Sequence, residues 1–309
     1  MSYLILKLIA LTFTIGLLCQ GCGRKGEPQK TSHAPDRQAL VMERVKTYLA
    51  LGPSVQDADG FIDYTHCDSL LFSGLYAVGG ATVNMDAARD ADGRWHRRSL
   101  NQPPCYPEGS KSTISRDMFL GLLWYIWEYQ RLDLAEALFA YGEAHDWVMG
   151  EGDISRIYFT PGLQATLAEI IYRLGGEDHY AYRAIPQSWA KNTGFAAHLD
   201  ALHILLRGEL TGSIEEKALE VLKYNYTRAP ENALFSYAWH RYSDGDQSET
   251  YSRLLNEAWW PADRLPTSAD RCEGWITQRD PGTDWEPCDG GKTHSGGDFL
   301  FVARLLLRS

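Results

Sequence analysis

Apolar residues recur at helical spacing along almost the whole chain after residue 37, and few stretches alternate as strands do. In some of these stretches nearly every position is apolar, which predicts a helix buried on all sides; in others only one face is apolar. The first kind starts near residues 68, 117, 161, 196, 232 and 297, and the second near 37, 84, 132, 178, 213 and 247. Because the two kinds alternate, we predict an all-α domain of about six helical hairpins, with an inner and an outer layer.

Turn residues set the ends of the predicted helices. Gly-Gly and Gly-Pro pairs follow three of the periodic stretches and are stop signals. Pro161 stands in a favoured first turn, and Ser213 with Glu216 forms a capping box. The predicted helices cover residues 37–51, 68–78, 84–90, 115–130, 132–147, 161–174, 178–182, 195–210, 213–226, 233–242, 247–259 and 297–307. Segments 91–113 and 260–294 lack this period, and loops of such length in a compact domain are usually functional.

Six such hairpins resemble the (α/α)6 toroid of glycoside hydrolases and polysaccharide lyases. The resemblance covers nearly all of residues 38–309, which we expect to form one domain, and it concerns architecture alone. It implies that the inner helices run in one direction, so that their starts meet at one mouth, where these enzymes have their clefts. An array of tetratricopeptide-like repeats is the alternative, but the chain has no fixed period of about 34 residues and its interhelix loops are uneven.

An aspartate stands at the start of several apolar stretches. Asp117 is the clearest case, and Asp68, Asp200 and Asp298 follow the same plan. Each one alone has a structural explanation, since an acid in the first turn accepts backbone N–H groups and complements the helix dipole. If the acids gather at one mouth, like charges raise at least one pKa, and two carboxyl groups with separate pKa values are what glycosidic-bond hydrolysis requires. The candidate catalytic residues are therefore Asp68, Asp117 and Asp298.

Polar and aromatic neighbours of these acids are the candidate substrate-binding residues. Arginine can hold a carboxylate or hydroxyl, histidine can donate or accept a hydrogen bond, and a flat indole suits the C–H face of a sugar. The candidates are His66, Arg116, His294, Trp95, Trp275, Trp285 and Arg279. The alternative is that they order the acids or cover the small cores of loops. The sequence predicts no metal site and no cofactor.

The first residues resemble the signal of bacterial lipoproteins. Lys7 precedes an apolar run over residues 8–18, too short to span a bilayer, and Gly21 precedes Cys22 as in a lipobox. The match departs from the family pattern at Cys19, where leucine is usual. We expect a signal peptide over residues 1–21, lipidation at Cys22 and a flexible tether over residues 22–37. The alternatives are an ordinary cleaved signal and a short uncleaved anchor.

Cysteine usage fits an oxidising compartment. Once Cys19 leaves with the signal and Cys22 takes the lipid, an even number remains, namely Cys67, Cys105, Cys272 and Cys288. Of the three pairings we favour Cys272 with Cys288 and Cys67 with Cys105. A zinc site is the alternative, although none of the four has CxxC spacing.

The net charge of the chain indicates which classes of binding partner to expect. The chain has 30 basic and 40 acidic residues, a net charge of −10, and loss of Lys7 with the signal makes it −11. This sign disfavours nucleic acid, whose phosphates require a basic surface. Since Gly23 follows Cys22, the lipoprotein pattern implies the outer rather than the inner membrane of a Gram-negative cell. We expect a lipid-anchored envelope protein that binds, and in one reading cleaves, a carbohydrate; the alternative is a non-catalytic binding or assembly module.

Overall fold

The computed structural model describes residues 36–62, 68–103, 113–152, 155–243, 245–267 and 293–308. The chain divides into residues 1–34 and 35–309, and every described residue belongs to the second unit. The predicted signal and most of the tether therefore lie outside the described residues. So do His66, Cys22, Cys67, Cys105, Cys272, Cys288, Trp275, Arg279 and Trp285.

The described part is mostly helical, so the all-α class is confirmed. Its α-helices are α1 (Arg37–Leu51), α2 (Ser69–Val78), α3 (Met118–Glu128), α4 (Leu132–Ala144), α5 (Pro161–Arg173), α6 (Tyr180–Arg183), α7 (Gly194–Thr211), α8 (Glu216–Arg228), α9 (Ala233–Tyr242), α10 (Ser248–Leu254) and α11 (Gly297–Arg308). Gly52–Val55 and Met85–Ala88 are 3-10 turns. Strands β1 (Val148–Glu151) and β2 (Arg156–Tyr158) form an antiparallel hairpin. Within this part no helix combines the length and apolarity needed to cross a membrane.

Burial follows the two kinds of hydrophobic pattern. Every residue of α2 is buried, and so is the run from Met118 to Ile126 in α3. Helices α5, α7, α9 and α11 also bury most of their length. By contrast, α1 buries only Val41, Arg44 and Tyr48, and α8 buries one stripe. Buried and one-faced helices therefore alternate along most of the described chain, but the predicted helix 84–90 between α2 and α3 is only the 3-10 turn Met85–Ala88, and α6 buries no residue.

The predicted placement of Asp200 at a helix start and the predicted start of α8 were wrong. Helix α7 begins at Gly194, one residue before the predicted start, so Asp200 lies in its second turn. Helix α8 begins at Glu216, since Glu215 is extended, with φ −69° and ψ 151°, and accepts no capping bond. The predicted capping box at Ser213 is therefore not formed. The β1–β2 hairpin was missed because strands this short carry too little alternation.

Two loops share the sequence Asp-Ala-Asp-Gly and one geometry. In the first, an Asp57 carboxylate oxygen accepts the backbone N–H groups of Asp59 and Phe61 at 2.9 Å each. In the second, Asp90 accepts from Asp92 and Arg94 at 3.1 and 3.0 Å. The glycine that ends each motif has a positive φ, +84° and +90°, which side chains rarely tolerate. These acids therefore hold turns together, and the repeat is a structural one.

Helices α2 and α3 touch backbone to backbone. A Cβ atom on Gly121 would stand 2.1 Å from the Leu71 carbonyl oxygen, and one on Gly74 would stand 2.3 Å from the Gly121 oxygen. Further along, the Tyr129 hydroxyl donates to the Ala77 carbonyl at 2.8 Å. Contacts therefore join the first halves of the two helices and also their last turns, so the helices run in the same direction.

Ion pairs join the ends of four buried helices. Glu128, the last residue of α3, pairs with Arg304 of α11 at 3.0 Å and with Arg308. Arg308 also reaches Glu209 near the end of α7 at 3.4 Å, and Glu209 lies 3.8 Å from Arg241 of α9. The carboxyl ends of α3, α7, α9 and α11 therefore lie side by side.

Replacing Gly121 by alanine should destabilise the domain. The added Cβ meets backbone rather than a movable side chain, so we expect the free energy of unfolding to fall by about 2–3 kcal/mol. Because alanine favours a helix over glycine by about 1 kcal/mol, a net loss of stability would have to come from the contact between the backbones of α2 and α3. The matched control is Gly162→Ala in α5, where the nearest atom is the Gln187 side-chain oxygen at 3.0 Å. Urea denaturation of both variants is the measurement, and equal effects would contradict the backbone contact.

Candidate functional site

The first halves of α2, α7, α9 and α11 surround a small cavity of about 20 Å³. Its walls are almost entirely apolar, and the residues that line it are Leu71, Phe72, Phe195, His198, Leu199, Leu202, Leu234, Asp298, Phe301 and Val302. A cavity holds one water when this volume reaches about 10–15 Å³. As bounded by the described residues, this cavity therefore admits about one water and not a sugar ring.

Asp298 is the predicted acid that lines this cavity. It lies in the first turn of α11 and is 3% exposed. One of its carboxylate oxygens accepts the backbone N–H of Phe299 at 3.0 Å. Ser295, just before the helix, accepts the Gly297 N–H at 3.2 Å. The chain thus enters α11 through side-chain-to-backbone bonds that place the Asp298 carboxylate in the interior.

Asp68 belongs to an ion pair at the start of α2. Its carboxylate accepts from the Arg97 guanidinium at 3.3 Å, and the two side chains are only 15% and 9% exposed. The Arg97 backbone is fixed as well, because its carbonyl accepts the Leu70 N–H at 2.7 Å and its own N–H donates to Thr113 at 3.0 Å. Asp68 therefore binds the 91–103 loop to α2, which favours its structural role.

Asp117 and Arg116 lie beside each other at the start of α3 without pairing. Asp117 is half-buried and Arg116 is exposed. The Asp117 side chain accepts no capping hydrogen bond, and in the described residues neither side chain has an ion-pair partner. Of the three predicted acids, Asp117 is the one whose carboxylate reaches solvent without a guanidinium on it.

Trp95 and His294 are interior residues. Trp95 is 1% exposed, and the Arg89 guanidinium lies 5.8 Å from its ring centroid. The bridge between Arg89 and Trp95 closes the Asp90 turn and directs the indole into the core. An indole in that position has no free face for a sugar ring. His294 is 7% exposed, and its backbone N–H donates to Pro266 at 2.8 Å.

Sequence reasoning missed a buried pair, His198 with Asn232. Asn232 caps α9, because its side-chain oxygen accepts the N–H groups of Leu234 and Phe235 at 3.0 and 3.2 Å. Its amide nitrogen must then donate, and it lies 2.8 Å from His198 Nε2. His198 Nε2 is therefore the acceptor, and Nδ1–H donates to the Gly194 carbonyl at 3.0 Å. Asparagine before an apolar stretch predicts a helix N-cap, but hydrophobic periodicity does not predict that His198 is its partner.

The second histidine of α7 binds a different neighbour. His203 Nε2 lies 2.8 Å from Thr166 Oγ1, whose hydroxyl is also 2.8 Å from the Gly162 carbonyl. Burial, with the charge of Arg207, lowers the pKa of His203 to about 3, so the ring is neutral at pH 7. His198 thus hydrogen-bonds to the capping residue of α9, and His203 to a residue of α5. In the described part, no group of three or more His, Cys, Asp or Glu residues is placed to hold a metal ion.

Asp200 is a further acid of α7, and it is half-buried. Burial raises its pKa, and a hydrogen bond from the Asn192 amide at 2.7 Å opposes that rise. It does not line the cavity at the helix starts. The acids of the apolar stretches therefore have different surroundings: Asp298 lines the cavity, Asp68 is paired, Asp117 is half-buried and Asp200 binds an amide.

The chain matches no protein-family model, no curated protein and no solved structure.

Asn232→Ala should be more harmful than the loss of an ordinary cap. It removes two cap bonds and leaves His198 Nε2 without its amide donor, which together cost about 2–4 kcal/mol. Thr160→Ala is the matched control, since Thr160 caps α5 with one bond of 3.4 Å and should cost about 1 kcal/mol. Chemical denaturation of the two variants measures the difference, and equal losses would show that the His198 contact contributes nothing.

Proposed function

We propose that the domain is an (α/α)6 toroid with α2, α3, α5, α7, α9 and α11 as its inner helices. Contacts run from α2 to α3, then to α5, α7, α9 and α11, and α11 packs back on α2. The ion pairs at the ends of α3, α7, α9 and α11 support a common direction for these helices. The alternation of buried and one-faced helices supports the two layers.

We further propose that this toroid is a non-catalytic binding or assembly module. The observation that carries the proposal is the cavity of about 20 Å³ at the helix starts. Glycoside hydrolysis places two carboxyl groups about 5–10 Å apart across a sugar. Here Asp298 faces space for about one water, and Asp68 is engaged by Arg97. Among the described residues, a small cavity at the helix starts and an Asp68 carboxylate engaged by Arg97 fit a scaffold better than a cleft.

In this proposal the module is held in the bacterial envelope by a lipid on Cys22, with residues 23–35 as a tether before α1. The support is the apolar run over residues 8–18, which ends just before Gly21-Cys22. A tether of this length reaches roughly 20 Å from the membrane if it behaves as a flexible coil. The domain would then work close to the membrane surface without being embedded in it.

Cys22→Ser should release the protein from the membrane. Expressed with its own N-terminus in a bacterial host, the unchanged chain should sediment with membranes and gain the mass of a lipid. The variant should lose both properties, because serine offers no thiol for the lipid. Cell fractionation and intact-protein mass spectrometry are the measurements. Equal membrane content in the two proteins, with no lipid mass on either, would refute the anchor.

Asp68→Asn and Asp117→Asn should change the free energy of unfolding by different amounts, and neither variant should cleave a glycan. Asp68→Asn weakens a largely buried ion pair and should cost about 2 kcal/mol, whereas Asp117→Asn should stay within about 0.5 kcal/mol. Thermal unfolding measures this contrast. On a glycan array, the unchanged chain and both variants should release no product.

A carbohydrate-cleaving enzyme is the second candidate, and Asp117 is the observation that favours it. Within the described part of the chain, no guanidinium contacts its half-buried carboxylate, and the exposed Arg116 lies next to it. This candidate requires that the unchanged chain release product from a glycan. It also requires that Asp117→Asn abolish that turnover while leaving the melting temperature unchanged. That result would overturn the non-catalytic proposal.

A further inference from the structure

A larger cavity lies away from the helix starts. It has a volume of about 200 Å³ and lies among the second half of α7, the start of α8 and the segment that precedes α7. Its walls combine apolar and polar groups, and its lining residues are Gln187, Trp189, Ile204, Arg207, Thr211, Ser213, Ile214, Glu215 and Ala218. We call it the Arg207 cavity. It has about ten times the volume of the cavity beside Asp298, and so it has room for a small organic molecule.

Arg207 brings an unneutralised charge to this cavity. A guanidinium has five N–H donors, yet in the described residues its side chain makes one hydrogen bond, to the Ala165 carbonyl at 3.4 Å, and no ion pair. Nearby Arg183 differs, because it binds Glu169 at 2.8 Å and Asp178 at 2.6 Å. Arg207 is half-buried, so most of its donors have neither a protein acceptor nor full hydration.

The electrostatics at Arg207 agree with this geometry. Burial lowers the pKa of Arg207, and attraction to Glu169 and Glu215 opposes that effect only in part. The same guanidinium helps to lower the pKa of His203. A partly desolvated cation whose partners are too distant to neutralise it stabilises an anion brought next to it.

The other walls limit which anion fits. Trp189 is 5% exposed and its indole N–H donates to Glu215 at 3.2 Å, which holds that carboxylate at the rim. Thr211 and Ser213 provide hydroxyl groups, and Ile204 with Ala218 provides an apolar wall. The negative charge of Glu215 opposes a doubly charged phosphate more than a singly charged carboxylate. The planar fork of arginine also matches the two oxygens of a carboxylate.

We propose that the Arg207 cavity binds a small organic carboxylate, held by the Arg207 guanidinium beside Trp189. Two sources share this chemistry, an acidic monosaccharide and a free amino acid. They differ at Glu215, which repels a uronate and attracts the ammonium group of an amino acid. The site is independent of the acids at the helix starts, and the proposal stands whether or not the toroid is catalytic.

The test is isothermal titration of the full 309-residue chain, held in detergent, with glucuronate, L-alanine, glucose and inorganic phosphate. Glucuronate or alanine should bind, and glucose, which lacks the carboxylate, should bind at least about tenfold more weakly. Arg207→Gln should lower the affinity for the carboxylate that binds by about tenfold or more. It should leave the melting temperature unchanged or higher, since no ion pair is lost. The affinity of Arg207→Lys should lie between those of the unchanged chain and Arg207→Gln, because lysine keeps the positive charge but lacks the planar pair of N–H donors of arginine.

Arg241→Gln is the matched control for net charge, since Arg241 pairs with Glu209 and does not line the cavity; it should bind like the unchanged chain. Glu215→Gln identifies the source: tighter glucuronate indicates the sugar acid, and weaker alanine indicates the amino acid. The proposal fails if neither carboxylate binds, if phosphate binds more tightly than both, or if glucose equals glucuronate. It also fails if Arg207→Gln binds like the unchanged chain, or if Glu215→Gln changes neither affinity.

Discussion

Polar groups at the ends of helices that are buried on all sides must find partners in one another. A helix leaves four N–H groups at its start and four carbonyl groups at its end without intrahelical partners, and water cannot reach the ends of an inner layer freely. At one end of the described domain, Asn232 satisfies the start of α9 and the ring of His198 together. At the other end, Glu128 and Glu209 are neutralised by arginines from neighbouring helices. These bonds join neighbouring helices, and at the buried His198–Asn232 pair the loss of a partner would leave a buried polar group at a cost of about 1–3 kcal/mol.

The same constraint explains why acids at helix starts are a weak sign of catalysis in this architecture. Placing a carboxylate in the interior is costly unless hydrogen bonds or a cation compensate it. Asp68 has such compensation from Arg97, and its pair also attaches a loop to α2. Asp298 lines a cavity that admits about one water. An enzyme needs carboxylates that stay available to a substrate, and of the three only Asp117 reaches solvent without a guanidinium of the described residues on it.

Hydrophobic periodicity predicted most of the helices because burial on one side or on all sides leaves a direct trace in the order of residues. The bounds of α1 and α9 agree with the pattern to the residue. The start of α7 agrees with the pattern to within one residue, but Asp200 was wrongly placed at a helix start because Phe195 and Ala197 extend the apolar run upstream of it. Pairings such as Asp68 with Arg97 and His198 with Asn232 join residues about thirty positions apart, and periodicity holds no information at that distance. Trp95 was expected at a surface because its loop is polar, but a single turn rotates its ring into the core. The repeated Asp-Ala-Asp-Gly motif was visible in the sequence, and its two identical turns could have been predicted from it.

Arg207 can bind an anion locally although the protein as a whole is acidic. A net charge of −10 repels anions at a distance, but at physiological ionic strength that field is screened beyond about 8 Å. Inside the cavity the nearest charges decide, and a half-buried guanidinium acts there through a medium less polar than water. The balance favours a compact ligand with a single negative charge over a polyanion, because each further charge meets the acidic surface and only one meets Arg207. The carboxylate proposed for the Arg207 cavity is thus an anion that the local charge of Arg207 can hold within an acidic protein.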